Sequence, residues 1–160
     1  MIKALVAALP QARHTLWKKA SRRLLKLRHR LTGASENEQV CSERRLRGRE
    51  QYKTLRRADV AVVSYGKSGR TWLRVMVSRL YQQVFGLPDT ALLGFDNFHQ
   101  MNRDIPKIFF THDNYIGDYT GNTDSKRDFA GTQVVLMVRD PRDVAVSQFF
   151  QWQHRMRPEK

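Results

Sequence analysis

The stretch from Val60 to Arg74 constrains the fold of this chain more than any other part of the sequence. It begins with an apolar run, Val-Ala-Val-Val, which predicts a buried strand, and it then turns at Gly66 and Gly69. Apolar residues at close to helical spacing predict a helix over residues 71–85. They are Trp72, Val75, Met76, Leu80 and Val84. A strand, a glycine turn and a helix N-terminus predict a phosphate-binding loop, to which Lys67 adds a full positive charge.

Two further apolar runs have the composition of buried strands. They cover residues 107–111 and 132–138, and together with residues 59–64 they give three strands. Three apolar strands separated by helices and loops are typical of a parallel sheet that is covered on both faces. The sequence therefore predicts an α/β fold with a parallel sheet and flanking helices.

The segments between these strands have weaker signals. Residues 89–105 predict an irregular segment, with three apolar side chains as packing anchors, and residues 116–131 predict a loop because they are rich in Gly, Asp, Asn and Thr. The three anchors are Phe95, Phe98 and Met101.

A strong helix start follows the last apolar run. Asp140 is suited to cap the helix, Pro141 to occupy its first position and Asp143 to lie in its first turn, so a helix is predicted to about Trp152. Arg139 precedes this helix at the end of a strand, where a guanidinium can make two hydrogen bonds to a phosphate.

Positive charge is concentrated in the N-terminal third of the chain. The formal net charge of the 160 residues is +14; residues 1–57 hold 16 Lys/Arg and 4 Asp/Glu, whereas residues 58–160 hold 13 and 11. We therefore predict a basic helical extension over residues 1–57 and an α/β domain over residues 58–160, with the boundary near Ala58. Within the extension, residues 36–57 indicate either a second exposed helix, capped by Ser35, or a loose linker.

Residues 1–33 contain nine Lys/Arg and no acidic residue. One face of the predicted helix is apolar, and the basic residues occupy the other faces. The apolar stripe consists of Trp17, Ala20, Leu24, Leu27 and Leu31. The stripe fits packing on the domain, peripheral contact with an anionic membrane, nucleic-acid contact or a transit peptide, and nucleic acid is the less favoured partner.

Composition excludes several classes of protein. Cys41 is the only cysteine, so no intrachain disulfide forms, and no Cys/His cluster has metal-ligand spacing. No stretch reaches the ~20 apolar residues of a transmembrane helix. These observations predict a cytoplasmic chain, with membrane-peripheral attachment as the alternative, and no metal cofactor.

The run Gly66-Lys67-Ser68 invites comparison with the nucleotide-triphosphate loop G-x-x-x-x-G-K-[ST]. The first glycine of that motif would fall at position 61, which is Ala61. The sequence also lacks a clear aspartate for magnesium. A phosphotransferase of this type is therefore a weaker hypothesis than another phosphate-binding function.

Residues 65–72, Tyr-Gly-Lys-Ser-Gly-Arg-Thr-Trp, resemble the 5′-phosphosulfate loop of sulfotransferases that use 3′-phosphoadenosine 5′-phosphosulfate (PAPS). The usual sequence of this loop in that family is Tyr-Pro-Lys-Ser-Gly-Thr-Thr-Trp. Gly66 therefore replaces a proline and Arg70 replaces a threonine, while the other positions agree.

A second segment, residues 139–147, is similar to the 3′-phosphate segment of the same family, R-[ND]-P-[KR]-D-x-x-x-S. Arg139 and Ser147 occupy its first and last positions. The two motifs occur in the family's order, and each follows an apolar run. The chain is therefore identified as resembling the P-loop-like sulfotransferase domain over residues 58–155, which is about the first half of that domain.

The resemblance implies roles for particular residues. PAPS would be bound by Lys67, Ser68, Gly69, Arg70, Thr71, Trp72, Arg139 and Ser147. His112 follows the second strand, as a catalytic histidine does in many members, and it would accept the proton of the acceptor hydroxyl; Lys67 would neutralise charge on the departing phosphate oxygen. The implied reaction moves a sulfuryl group from PAPS to a small-molecule or glycan hydroxyl, without a metal.

The partial coverage of the family's domain leaves alternatives open. We expect a truncated or partial sulfotransferase domain, because the Arg-Lys-Gly segment that closes over the cofactor in complete members has no counterpart here. A non-catalytic PAPS-binding or nucleotide-binding remnant is the main alternative.

Overall fold

The computed structural model describes residues 20–155, except residues 22 and 26, and described residues between 20 and 32 are helical. The later elements are named in chain order. They are helix α1 (Glu36–Leu55), strand β1 (Val60–Ser64), helix α2 (Arg70–Phe85), helix α3 (Asn97–Met101), strand β2 (Ile108–Thr111), helix α4 (Ile116–Thr120), a 3-10 turn (Arg127–Phe129), strand β3 (Gln133–Met137) and helix α5 (Pro141–Arg155).

The three strands form one parallel sheet with the order β2-β1-β3. Val60 is paired with Ile108 on one side and with Gln133 on the other, so β1 is the central strand. The predicted α/β class and the parallel sheet are confirmed. Because the chain moves from one side of β1 to the other, the carboxyl ends of β1 and β3 form a topological switch point, which is where open α/β sheets usually bind ligands.

Successive side chains of β1 belong to two separate core clusters. Ala61 packs in the cluster that also contains Leu55 and Phe109, whereas Val62 packs with Leu93 and Phe98. Successive residues of a strand point to opposite faces of a sheet. The central strand is therefore buried on both faces, as predicted.

Helix α1 packs on the α/β part of the chain and is not a loose linker. Its N-terminus has the predicted capping box, in which the Ser35 side chain accepts a hydrogen bond from Glu38 N–H and the Glu38 carboxylate accepts one from Ser35 N–H. At the other end Leu55 is fully buried beside Ala61. Gly48 contacts Tyr115 and Tyr119, which brings α1 close to α4. The helix thus packs across the boundary predicted near residue 58.

The prediction of a loop over residues 116–131 was wrong. This segment contains α4 and the 3-10 turn, and it contributes Ile116 and Phe129 to the core cluster of Leu55. Because the segment is rich in Gly, Asp and Asn, its composition gave no sign that these two apolar residues are buried. Local composition failed because burial of these two side chains against other segments outweighs the weak helix propensity.

The irregular segment predicted over residues 89–105 also contains a short helix, α3. Phe98 is fully buried and Phe95 packs against the other cluster, so two of the predicted anchors are confirmed. Met101 is exposed and does not anchor the segment. It lies at the last residue of a five-residue helix, beyond the buried side.

Helix α2 is present as predicted, but its core face is a different one. The packing side chains are Leu73, Val77, Tyr81 and Phe85. The stripe used to predict the helix is exposed, and it comprises Trp72, Val75, Met76, Leu80 and Val84. Both sets have helical spacing, so periodicity identified the helix without deciding which face is buried.

Strand β3 departs from the prediction of a sheet covered on both faces. It is the edge strand beside β1, and Val134, Val135 and Leu136 are all exposed. No residue of the following helix α5 is buried. Within the described part of the chain, no segment buries β3 as fully as β1 is buried.

The N-terminal stripe lies partly outside the described residues, because Trp17 precedes them. Its described leucines, Leu24, Leu27 and Leu31, are exposed, so they do not pack on the domain. A search of the described residues finds no helix that is long and apolar enough to span a membrane.

Candidate functional site

The candidate site lies at the carboxyl edge of the sheet, where the three strands end. The loop 65–69 follows β1, His112 follows β2, and Arg139 follows β3 by two residues. Parallel strands bring their carboxyl ends to one edge, so the sheet places these three segments together. The two sequence motifs are in direct contact there, because Arg139 Nη1 donates a hydrogen bond to the carbonyl oxygen of Lys67 at 3.2 Å.

The loop after β1 has the backbone shape of a concave turn. Lys67 has a φ of 64° and Gly69 has a φ of 92°, both in the left-handed region. Gly69 precedes the first turn of α2, and no side chain caps this helix. No atom lies within 4 Å of a Cβ built on Gly66 or Gly69. The loop therefore faces open space and presents the uncapped N-terminus of a sixteen-residue helix, which favours an anion.

Two buried serine hydroxyls lie at this turn without a hydrogen-bond partner among the described residues. Ser64 is 1% exposed and Ser68 is 8% exposed, and the Oγ atom of each is unsatisfied. Buried hydroxyls are normally hydrogen-bonded because leaving one unpaired costs about 1–3 kcal/mol. Ser68 Oγ is thus a donor available to a ligand oxygen.

Lys67 is held by helix α5. Its Nζ lies 2.5 Å from Gln151 Oε1, and both side chains are half-buried. The partner is a neutral amide, so the positive charge of the ammonium is not cancelled. An ammonium group has three N–H donors, and two of them remain for an anion in the loop.

The second motif is built around the start of α5. The Asp140 carboxylate accepts hydrogen bonds from Arg142 N–H at 2.9 Å and from the Arg142 guanidinium at 2.6 Å, which confirms the predicted cap. The guanidinium lowers the pKa of Asp140, and the bond from the backbone N–H adds to this effect. Arg139 Nε lies 3.4 Å from Asp143 Oδ2. The side chain of Arg139 is therefore shared between an acidic residue of its own helix and the loop.

Arg70 adds a second positive charge at the first turn of α2. It is half-buried, and burial and the nearby charge of Arg74 lower its pKa. Arg74 itself donates to the carbonyl oxygen of Leu93. No carboxylate pairs with Arg70 among the described residues, so no opposite charge offsets the effect of burial and of Arg74 on its charged form. A bound anion would relieve this.

His112 is oriented by the backbone of β1. Its Nδ1 lies 2.7 Å from the carbonyl oxygen of Ser64, which can only accept a hydrogen bond. Nδ1 therefore carries the proton in the neutral imidazole, and Nε2 is the acceptor. The described residues offer Nε2 no hydrogen bond, so it is available to accept a proton.

The remaining residues predicted to bind the cofactor make fewer contacts with the site. Trp72 is 74% exposed and stacks on no described aromatic ring, while Thr71 is exposed. Ser147 is half-buried on α5 and makes no side-chain hydrogen bond to a described residue. The structure thus brings Lys67, Ser68 and Arg139 together at the loop, whereas Thr71, Trp72 and Ser147 make no side-chain contact with that group.

Sequence reasoning missed Gln151. Asp143, Ser147 and Gln151 follow one another at intervals of four residues, so they share one face of α5. Because Asp143 contacts Arg139, which in turn contacts the loop, this face is the one that approaches the loop. The spacing indicates only that Gln151 shares the face of Asp143; the contact of that face with the loop is a tertiary feature.

A separate cleft lies between α4 and the 3-10 turn, but its charges are satisfied. Asp113 pairs with Lys126 at 2.7 Å and Asp118 pairs with Arg44 at 3.0 Å. Asp128 accepts hydrogen bonds from Thr120 and Asn122. Within the described residues, no three His, Cys, Asp or Glu side chains are grouped so that they could hold a metal ion.

The fold is that of an α/β protein with a parallel sheet, and a loop that leads into an uncapped helix N-terminus lies at its switch point. Comparison of the chain with models of known protein families, with curated proteins and with solved structures gave no significant match.

Proposed function

We propose that this chain is the cofactor-binding part of a P-loop-like sulfotransferase domain, which transfers a sulfuryl group from PAPS to a hydroxyl acceptor. One observation carries the proposal: the loop motif and the Arg139 motif, which were matched separately, meet through the 3.2 Å hydrogen bond from Arg139 to Lys67. Ser68 in this loop and Arg70 at the start of α2 fit an anionic ligand, because neither side chain has a partner among the described residues.

In this proposal PAPS supplies the sulfuryl group. The N-terminus of α2 and Lys67 hold the 5′-phosphosulfate, and Lys67 neutralises the charge that develops on the phosphate oxygen. Arg70 adds positive charge on the same side. Ser68 contacts the 3′-phosphate side of PAPS. His112 Nε2 takes the proton of the acceptor hydroxyl, because its Nδ1 proton is held by Ser64. The small-molecule or glycan acceptor would lie between His112 and the loop.

The proposal is tested with radiolabelled PAPS and a panel of alcohols, phenols and glycans. We expect label transfer by the unaltered chain and no transfer by Lys67→Ala. Lys53→Ala is the matched control, because Lys53 is an exposed lysine of α1 outside the site, and it should retain transfer. If calorimetry detects no binding of PAPS or of its desulfated product, adenosine 3′,5′-bisphosphate, the proposal is wrong.

A second candidate function is a PAPS-binding or nucleotide-binding module without transfer activity. It is favoured by the exposure of Trp72 and by the pairing of Arg139 with Asp143, because these two predicted cofactor-binding side chains are less well placed for a ligand than those of the loop. The same experiment separates the two functions, since this module would bind the bisphosphate but transfer no label. A P-loop phosphotransferase, which the sequence disfavours, would instead transfer phosphate from a nucleoside triphosphate.

We also propose that the N-terminal segment makes peripheral contact with anionic membranes. The exposed leucines of the stripe and the nine basic residues of 1–33 suit such a surface. Leu24→Glu combined with Leu31→Glu should reduce co-flotation with phosphatidylserine vesicles. Val40→Glu, at an exposed position of α1, should not. Equal flotation of all three proteins would refute the contact.

A further inference from the structure

The strongest relationship that the proposed mechanism does not use is the contact between Lys67 and Gln151. The two residues are 84 positions apart, and their side chains meet at 2.5 Å. Lysine side chains have high rotamer entropy, so an unrestrained ammonium would sample many positions around the loop. The amide oxygen of Gln151 selects one of them.

A glutamine suits this role for an electrostatic reason. A carboxylate at the same place would pair with the ammonium and compete with the charge of the ligand, whereas an amide accepts one hydrogen bond and leaves the charge intact. The Lys67 backbone carbonyl is fixed at the same time by Arg139. Both ends of this residue are therefore held by the segment that follows β3.

We propose that Gln151 is a positioning residue, which holds the Lys67 ammonium in the loop so that it meets the 5′-phosphate end of the bound cofactor. This inference rests on the proposed function. It also connects helix α5, which has no buried residue, to the chemistry of a loop in a distant part of the sequence. Ligand binding at the loop should in turn hold α5 in place.

Calorimetric titration with adenosine 3′,5′-bisphosphate tests the inference. We expect Gln151→Ala to weaken binding about threefold to tenfold, the effect of one hydrogen bond. Gln151→Glu should weaken binding further, because the new carboxylate neutralises Lys67. Gln148→Glu is the matched control: Gln148 is an exposed glutamine of the same helix, and the substitution changes the net charge equally.

Two further measurements separate positioning from a general effect on α5. Binding of adenosine 3′-monophosphate, which lacks the 5′-phosphate, should be unchanged by Gln151→Ala. In a Lys67→Ala background, Gln151→Ala should have no additional effect on bisphosphate binding, because the contact is already lost.

The outcomes distinguish the inference from the proposed function. If the unaltered chain does not bind the bisphosphate, both are wrong. If it binds, but Gln151→Ala binds equally well, weakens the monophosphate to the same extent or adds to the effect of Lys67→Ala, the positioning role alone is overturned.

Discussion

The imidazole Nδ1 of His112 lies 2.7 Å from the carbonyl oxygen of Ser64, the last residue of β1. The contact joins the end of β2 to the strand that leads into the loop. It fixes the proton on Nδ1 and leaves Nε2 as the acceptor. The same neighbouring strands thus set the position of the candidate base and the start of the loop 65–69.

This relationship predicts the effect of His112→Asn. The asparagine amide nitrogen can replace Nδ1 as a donor to Ser64, but the substitution removes Nε2. We expect sulfuryl transfer to fall about a hundredfold to ten-thousandfold, the usual contribution of a general base. Binding of adenosine 3′,5′-bisphosphate should remain unchanged in calorimetry. Transfer at the unaltered rate would exclude His112 as the base.

Ser68→Ala should separate stability from ligand binding. The Ser68 hydroxyl is buried and has no partner among the residues that the structure describes, so its removal should raise the free energy of unfolding by about 1 kcal/mol when no ligand is added. The stabilisation by added bisphosphate should decrease, because the ligand loses a donor. Chemical denaturation with and without the ligand measures both effects. An unchanged ligand effect would remove Ser68 from the site.

Ser78→Ala is the contrasting control. Ser78 is also buried, but its hydroxyl donates to Arg74 O at 2.5 Å and accepts from Leu93 N–H at 2.9 Å. Its removal leaves the Leu93 N–H unpaired and should lower the free energy of unfolding by about 1–3 kcal/mol. The two serine substitutions are therefore expected to have opposite signs.

Gly48→Ala should destabilise the packing of α1 on α4. In an exposed helix interior this substitution is favourable by about 1 kcal/mol. Here the added Cβ would overlap the carbonyl oxygen of Tyr115 and lie 2.9 Å from the Cβ of Tyr119. We expect a net loss of about 1–3 kcal/mol in thermal or chemical denaturation.

Gly66→Ala provides the control for this substitution. A Cβ at Gly66 meets no atom within 4 Å, and its φ is not in the left-handed region. Its effect on stability should therefore be small. Equal stability of Gly48→Ala and the unaltered chain would show that the two helices do not pack as described.

The cap of α5 should make stability depend on acidic pH. The pKa of Asp140 is lower in the folded chain than the value of about 3.9 in an unfolded one. Its stabilising contribution is therefore complete above that value and is lost as the pH falls through the lower, folded-state pKa. Denaturation between pH 6 and pH 2.5 should show this loss, and Asp140→Asn should lack it.

Arg142→Gln tests the cause of the shift. It removes the guanidinium that contributes most to the lowered pKa of Asp140. The backbone N–H at position 142 is retained. Carboxyl NMR titration should then place the pKa of Asp140 closer to its ordinary range. A pKa that does not move would assign the shift to another cause.

The exposed edge strand predicts self-association. Leu136 is 67% exposed on β3, whose outer edge is unpaired in the described sheet. Such edges pair readily with other chains, and an exposed lysine opposes this. Leu136→Lys should raise the concentration at which light scattering detects aggregates, with little change in the free energy of unfolding. Aggregation at the same concentration would indicate that another surface is responsible.

The sequence predicted those parts of the fold that depend on local patterns. The three strands, the helix after the loop and the two caps at Ser35 and Asp140 follow from apolar runs and from side chains that pair with nearby N–H groups. Both motifs were also predicted to follow strands, and parallel strands bring such segments to the same edge of a sheet. In each case the determining contacts are short-range or follow from parallel strand topology.

Features set by tertiary packing were not predictable in this way. Ile116 and Phe129 are isolated apolar residues in a polar segment, and they are buried in a core cluster whose other members, Leu55, Ala61 and Phe109, lie far away in the sequence. Helix α2 has apolar residues on two faces, so its spacing did not show that Leu73 is inside and Met76 outside. The partner of Lys67 lies on α5, and no local pattern connects the two.

The position of β1 has a consequence for synthesis of the chain. Val60 leaves the ribosome before its pairing partners, Ile108 and Gln133. Both edges of the central strand therefore stay unpaired until these later residues have been translated. Folding is slowed because closing such long loops costs entropy before the strand pairs can form. The loop 65–69, which follows this strand directly, should be among the last parts to form, after the ribosome has released the third strand. Until then the β1 segment is exposed to chaperones and to other nascent chains.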